Sequence, residues 1–240
     1  MGWIIFVEVM TPARFKLLLC TLAVCLSASG QNHVSGYGLD KENVMLVYVR
    51  NNADGTVEWR HSVHVVDVKD LGNTVRYTTE SYFTKANGKP LYKSAMCEFF
   101  NVEKETGNIL FDVSATMVSY IKGRIGVNAT TDGYSILSSF PSTLKPGDKL
   151  DDVSGRVKVG PLTYTVTVDE RVVLRQETIT VPAGKFDCVV IQEHKVESGP
   201  GHNRDVLNIS WYSKGIGYVR HDTYIKGKLD TSEILESINR

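Results

Sequence analysis

Six histidines are the residues of this chain whose chemistry is most easily imagined, because imidazole serves as metal ligand, proton shuttle and base. His61 and His64 stand three apart in an alternating run, which on a strand sends them to opposite faces, so they cannot share an ion. His61 falls on the face of Trp59 and Val63 and reads as a satisfied, half-buried ring. His194, His202 and His221 lie near the C-terminal hairpins and could converge in space, but no short His or Cys motif with ligand spacing accompanies them. We expect no metal site.

Nucleophilic chemistry is as poorly supplied. The chain has no G-x-S-x-G elbow, and its two Ser-x-x-Lys matches, Ser119 with Lys122 and Ser142 with Lys145, lack companion motifs. The carboxylate pairs Asp151 with Asp152 and Glu103 with Glu105 sit beside turns and read as solvated turn residues rather than a glycosidase pair. A dinucleotide loop in "WYSKGIGYVRHDTY" would need a third glycine where Arg220 stands. The reading therefore contains no catalytic, cofactor-binding or metal residues, no cofactor, and no enzyme activity. Asn128-Ala129-Thr130 and Asn208-Ile209-Ser210 match the N-glycosylation pattern, which a bacterial source would make irrelevant.

The first thirty residues set the compartment. Arg14 and Lys16 precede an apolar stretch from Leu17 to Leu26 and a small-residue run ending at Gly30, the layout of a secretory signal peptide, with an over-called start before Met10. The stretch is shorter than the roughly 20 residues that span a bilayer. Arg14, Lys16 and Glu8 are the ionised side chains of this leader, so without it the 27 basic and 27 acidic residues become 25 and 26. A net charge of −1 gives no electrostatic footprint for nucleic acid. Two cysteines remain, Cys97 and Cys188. Apolar neighbours two positions away favour two buried thiols, with a disulfide as the alternative that an oxidising compartment permits.

From residue 31 onward the apolar residues recur with period two. Leu162, Tyr164, Val166 and Val168 face one way while Thr163, Thr165, Thr167 and Asp169 face the other, the pattern of a half-buried strand. Turn signals such as Asn52 to Gly55, Asp70 to Asn73, Ala86 to Pro90 and Lys145 to Asp148 separate such runs. These features predict a single all-β domain over 31–240, a strongly curved or barrel-like antiparallel sheet of roughly 11 to 13 strands, with a two-sheet sandwich as the alternative. Only Ser114 to Ile121 leaves room for a short helix. In "ETITVPAGKFDC", Pro182 and Ala183 occupy a hairpin turn after Val181, and Gly184 is expected in the left-handed conformation with a bulge.

"ETITVPAGKFDCVVI", then "WYSKGIGYVRHDTYIKGK" and a terminal "SEILESI", resemble the C-terminal half of the TapB-like proteins, related to domain of unknown function 3108 and found in Gram-negative envelopes. The N-terminal half matches in pattern and length, with "TLKPGDKL" its one suggestive piece. The resemblance implies an exported all-β protein without an assigned activity, and brings no catalytic residues with it. Aromatic side chains, among them Trp59, Phe83, Tyr92, Trp211 and Tyr218, supply bulk for a core or for a cavity wall. A curled sheet of about a dozen strands encloses more interior than its side chains need to fill. The expected function is thus a non-enzymatic envelope protein that holds an apolar or amphiphilic ligand or presents a face to an envelope partner. The alternatives are a purely structural or interaction role, or a hydrolase of envelope polymers.

Overall fold

The structure, a computed structural model, describes residues 36–131 and 137–239; the expected leader lies outside them. Thirteen strands and one helix follow in order: β1 (Met45–Asn52), β2 (Val57–Asp70), β3 (Thr74–Lys85), β4 (Met96–Glu103), β5 (Ile109–Asp112), α1 (Val113–Ile125), β6 (Thr130–Thr131), β7 (Leu137–Phe140), β8 (Val153–Val159), β9 (Leu162–Val181), β10 (Gly184–Gly199), β11 (His202–Ser213), β12 (Gly217–Ile225) and β13 (Lys228–Asn239). All thirteen belong to one antiparallel sheet, in the order β6-β8-β9-β10-β11-β12-β13-β1-β2-β3-β4-β5-β7. The predicted curved sheet is present and the two-sheet sandwich is not.

The sheet wraps without closing. Phe140, on the edge strand β7, lies 4.9 Å from Tyr212 of β11 with its ring tilted, and the Arg171 guanidinium of β9 lies 5.9 Å from the Phe140 ring. Strands at opposite ends of the order therefore face each other. The segment after β7 then bonds to the backbone of β9, with Leu150 N donating to Arg171 O at 3.0 Å and Gly147 N to Val173 O at 2.8 Å. These bonds occupy β9 backbone groups beyond its pairing with β8, which otherwise would offer an edge for aggregation.

The helix extends beyond Ser114 to Ile121, the stretch that the sequence leaves open to one. Asp112 caps it by accepting from Ala115 N at 3.1 Å, and Gly126 ends it at φ 74, its N–H bonded to Lys122 O. Lys122 and Arg124 in the last turn suit the helix dipole. It docks where β8 has no side chain: a Cβ at Gly155 would lie 2.8 Å from Val113 Cγ1 and from Met117 Sδ.

At its centre β10 is apolar on both faces. Cys188 and Val190 join a cluster with Leu46, Trp211, Val219 and Leu235, while Val189 and Ile191 join another with Tyr77, Val102, Phe140 and Val173. The Pro-Ala turn forms a two-residue hairpin, but Gly184 pairs directly with Val181 and no bulge intervenes, a correction to the expected geometry. Its φ of 139 still lies in the region that side chains disfavour.

Candidate functional site

Ladder partners share a face of a sheet, so register alone assembles the site. One row runs Ile191, Ser210, His221, Glu233, Arg50, Trp59 across six strands from β10 to β2. Beside it lies Glu193, Asn208, Thr223, Thr231, and on the other side Tyr48 pairs with His61, which pairs with Phe83. This face is enclosed by the wrap, since Tyr212 on it meets Phe140 and Glu98 bonds to Thr116 of α1. Its middle is polar, although Asn208 and Ser210 are each only 1% exposed.

Aromatic rings cross this face in a continuous column. Tyr218 lies 4.7 Å from Tyr48, Tyr48 stacks at 4.8 Å on His61, His61 at 4.8 Å on Phe83, and Phe83 at 4.3 Å on Tyr92, which meets Tyr120 of α1 edge-on at 5.8 Å. Hydrogen bonds lock the column in place: the Tyr48 hydroxyl donates to Tyr218 O at 2.8 Å, and the Tyr218 hydroxyl donates to Glu233 Oε1 at 3.2 Å. His61 Nδ1 stands 2.8 Å from the same carboxylate oxygen. Burial pushes the Glu233 carboxyl upward, but the bond and charge of His61 more than reverse this and hold it below the usual range. Burial raises Glu98, and it raises Tyr48 and Tyr218 far above neutral pH, where they remain hydrogen-bond donors.

His221 Nδ1 sits 2.7 Å from Ser210 Oγ, and its Nε2 lies 3.4 Å from Thr223 Oγ1. Burial pushes this imidazole down to about 4, so it is neutral at pH 7. Arg171 reaches the same region because β9 bulges. Glu170 at φ 50 and Arg171 together oppose Glu193, so Asp169 and Arg171, two apart, fall on opposite faces. The buried guanidinium donates from Nη1 to Asp151 O at 2.7 Å, and its Nε stands 3.6 Å from Glu193 Oε2. Neither that Nε nor Asn208 Oδ1 has a hydrogen-bond partner among the described residues.

His221, Tyr218, Tyr212 and Glu98 are surrounded by protein atoms yet keep some accessible surface. Neutral donors and acceptors beside a wall of rings suit recognition of a molecule with one polar and one apolar part. A separate open cleft of about 620 Å³, lined by Tyr37, Gln176, Glu177, Lys185 and Lys214 among others, carries side chains of both charges.

The residues singled out by spacing mostly lie elsewhere. His194 bridges Asp169 at 2.7 Å and Asp205 at 2.9 Å on the surface, and His202 bonds Glu197 at 2.7 Å. Only His221 of that trio faces the interior row. No three His, Cys, Asp or Glu among the described residues are arranged to hold a metal. Ser142 is buried and its hydroxyl donates to Thr106 O, whereas Lys145 is an exposed turn residue. Ser119 and Lys122 lie on α1, and Lys122 is exposed. Asp151 and Asp152 are exposed, and Glu103 accepts from Thr106 and Asn108 within its turn. Asn208, 1% exposed in mid-strand, is closed to glycosylation in the fold.

Both cysteines are free. Cys188 is buried as expected, but Cys97 is exposed, a correction that follows from its face: Glu98 and Phe100 turn inward, and Cys97 and Phe99 outward. Spacing did not single out Glu233, and it marked Asn208 and Ser210 only as a glycosylation match. The available signal was a polar residue at an inward position of an alternating strand, as Glu233 is between Thr231 and Leu235.

Among the described residues no helix is long and apolar enough to cross a membrane. No curated protein matches the chain. Two solved structures share its fold. One, a protein from Bacteroides fragilis described as exported and having a YmcC-like fold, aligns at a TM-score of 0.70 with 20% identity, covering 86% of this chain and 100% of its own. The other, described as a lipoprotein from Parabacteroides distasonis, gives 0.69 with 18% identity, over 85% of this chain and 99% of its own. The fold thus recurs in both, and with a DUF3108-like family model matching residues 42–235, from before β1 into β13, this chain belongs to the DUF3108-like family.

Proposed function

We propose that this chain is a non-enzymatic, exported protein of the cell envelope that binds an amphiphilic molecule on the enclosed face of its sheet. Export is supported by the leader-like first thirty residues and by the descriptions of the two similar structures as an exported protein and a lipoprotein. Binding rests on one observation above the others: the ring column from Tyr218 to Tyr92 borders a row of polar groups, among them the neutral His221, on the enclosed face of the sheet. A packed core would have no use for so many buried polar side chains, each of which costs free energy unless bonded.

The absence of enzymatic turnover in this reading follows from how the reactive groups are engaged. Glu233 is held by His61 and Tyr218, and burial pushes the Cys188 thiol up to about 12, far from a thiolate nucleophile. Gentle purification followed by native mass spectrometry tests the proposal. A co-purifying amphiphile, or thermal stabilisation by single-chain amphiphiles below their micelle concentration, is expected. A chain that carries none and is stabilised by none refutes it and leaves a scaffold role.

A further inference from the structure

Resting on the binding reading, we infer that Arg171, Glu193, Asn208, Thr223 and His221 form a headgroup subsite for an uncharged, hydroxyl-bearing group of the kind a sugar or polyol presents. Two deeply buried polar atoms at this row make no hydrogen bond among the described residues, Asn208 Oδ1 beside it and Arg171 Nε reaching it from β9, and they are of opposite kinds. Asn208 Oδ1, on a residue 1% exposed, asks for a donor; Arg171 Nε, on a residue 5% exposed, asks for an acceptor. They flank one residue: Glu193 is the ladder partner of Asn208 and its carboxylate is 3.6 Å from Arg171 Nε. A hydroxyl both donates and accepts, so one such group, or two neighbours on a ring, answers both demands. Leaving them unanswered would cost roughly a hydrogen bond's desolvation apiece.

The electrostatics select against charge. Glu193 balances the Arg171 guanidinium, His61 faces Glu233, and His221 is neutral at pH 7. An anionic head would meet the carboxylate of Glu193, and a cationic one would meet the guanidinium. Either would enter an enclosed site where Arg171 and Glu193 already face each other. The remaining lining is made of hydroxyls and an amide: Ser210 bonded to His221, Thr223 beside its other nitrogen, and Asn208. Sugar rings also carry C–H faces that pack on aromatic rings, and Tyr218 lies 6.0 Å from His221, which places the column at the edge of this row.

Three probes with one eight-carbon chain separate the possibilities: octyl β-glucoside, sodium octanoate and octyltrimethylammonium, each titrated calorimetrically below micelle formation at pH 7. The glucoside is expected to bind at least about tenfold more tightly than either charged probe, a gap that is clear by titration. Asn208→Leu, or the isosteric Thr223→Val should the former not fold, is expected to erase that preference while residual chain binding persists. Equal binding of all three, or a preference for a charged head, overturns the subsite and leaves the amphiphile reading standing. Binding of none overturns both. A crystal of the glucoside complex with the sugar away from Asn208 and Arg171 also overturns the subsite.

Discussion

His61 on β2 and Glu233 on β13 meet across the intervening strand β1 at 2.8 Å, with side chains 7% and 6% exposed. Removing one member of such a pair strands the other in a low-dielectric interior, whereas replacing both by apolar groups does not. Glu233→Ala is expected to lower unfolding free energy by about 3–5 kcal/mol. In the double variant, with His61→Phe, much of this returns, because a phenyl ring keeps the stack between Tyr48 and Phe83. Urea unfolding of the four proteins of the cycle measures it. A loss below about 1 kcal/mol for the single variant, the size of an exposed pair, would contradict the burial argument. Because the folded carboxyl of Glu233 is depressed, its stabilisation is present above the unfolded carboxylate range and fades as pH falls through the folded value.

His221 makes stability depend on pH at a milder range. Its folded value, down to about 4 because of burial, lies below the unfolded imidazole value, so between them the unfolded chain binds more protons. Stability therefore declines as pH drops from about 6.5 toward 4, by on the order of 3 kcal/mol. His194 has the opposite sign. The bonds to Asp205 and Asp169 raise it, so its contribution is complete below the unfolded value and fades as pH rises through the raised one. Denaturant midpoints from pH 7.5 to 4 should show a decline that His221→Gln flattens. An unchanged slope in that variant would exclude His221 as its source.

Alternation made the strands legible, and the glycines made the turns so: Gly55, Gly72, Gly88 and Gly107 all take positive φ between consecutive strands. What alternation does not carry is phase. Cys97 has apolar residues on either side at i±2, and the same pattern would arise with that face turned in or out; the structure turns it out, leaving Phe99 38% exposed under the Arg76 guanidinium. Bulges shift phase within a strand, as at Glu170, so that Asp169 and Arg171 part company. The polar site was illegible for a related reason. Ser210, His221 and Glu233 become neighbours only through ladder pairing, and each reads singly as an isolated polar residue in an apolar run.

Gly184 carries a conformational requirement that spacing anticipated in kind. It closes the Pro182-Ala183 hairpin at φ 139, and the nearest neighbour to an added Cβ is the Phe186 ring at 3.7 Å, an ordinary contact. Strain in Gly184→Val is thus of backbone origin, on the order of 1–3 kcal/mol. A lower melting temperature is expected, with Gly184→Ala suffering most of the same loss since the penalty begins at Cβ. A melting curve identical to that of the parent for either variant would show that the turn relaxes freely.

Gly155 is required for space rather than for φ. A methyl there would stand 2.8 Å from Val113 Cγ1 and Met117 Sδ, and 3.2 Å from Ser114 N. Met117 can swing aside, but the helix backbone cannot. Gly155→Ala should therefore push α1 away from β8, costing about 1–3 kcal/mol as an overpacked contact. The companion change Met117→Ala relieves only part of it. Hydrogen exchange localises the effect: faster exchange of the α1 amides, with β10 and β11 unchanged, is expected, and uniform acceleration throughout would point to global destabilisation instead.

The two thiols give the most direct check on phase. Cys97 is exposed, with Sγ 3.8 Å from Glu80 Oε1, and partial burial together with that carboxylate raises its pKa, so it should alkylate slowly but completely. Cys188 lies in the core with Val190 and Trp211, its thiol pushed up to about 12 by burial, and should be inert until the sheet opens. Iodoacetamide on the folded protein lacking its first thirty residues is therefore expected to add one label, at Cys97, and a second only in guanidinium. Two labels under native conditions would mean that the centre of β10 opens readily. No label on Cys97 would mean that the face bearing Phe99 is turned inward, and the register between β3 and β4 that puts Glu98 opposite Thr79 on the enclosed face would then be wrong by one residue.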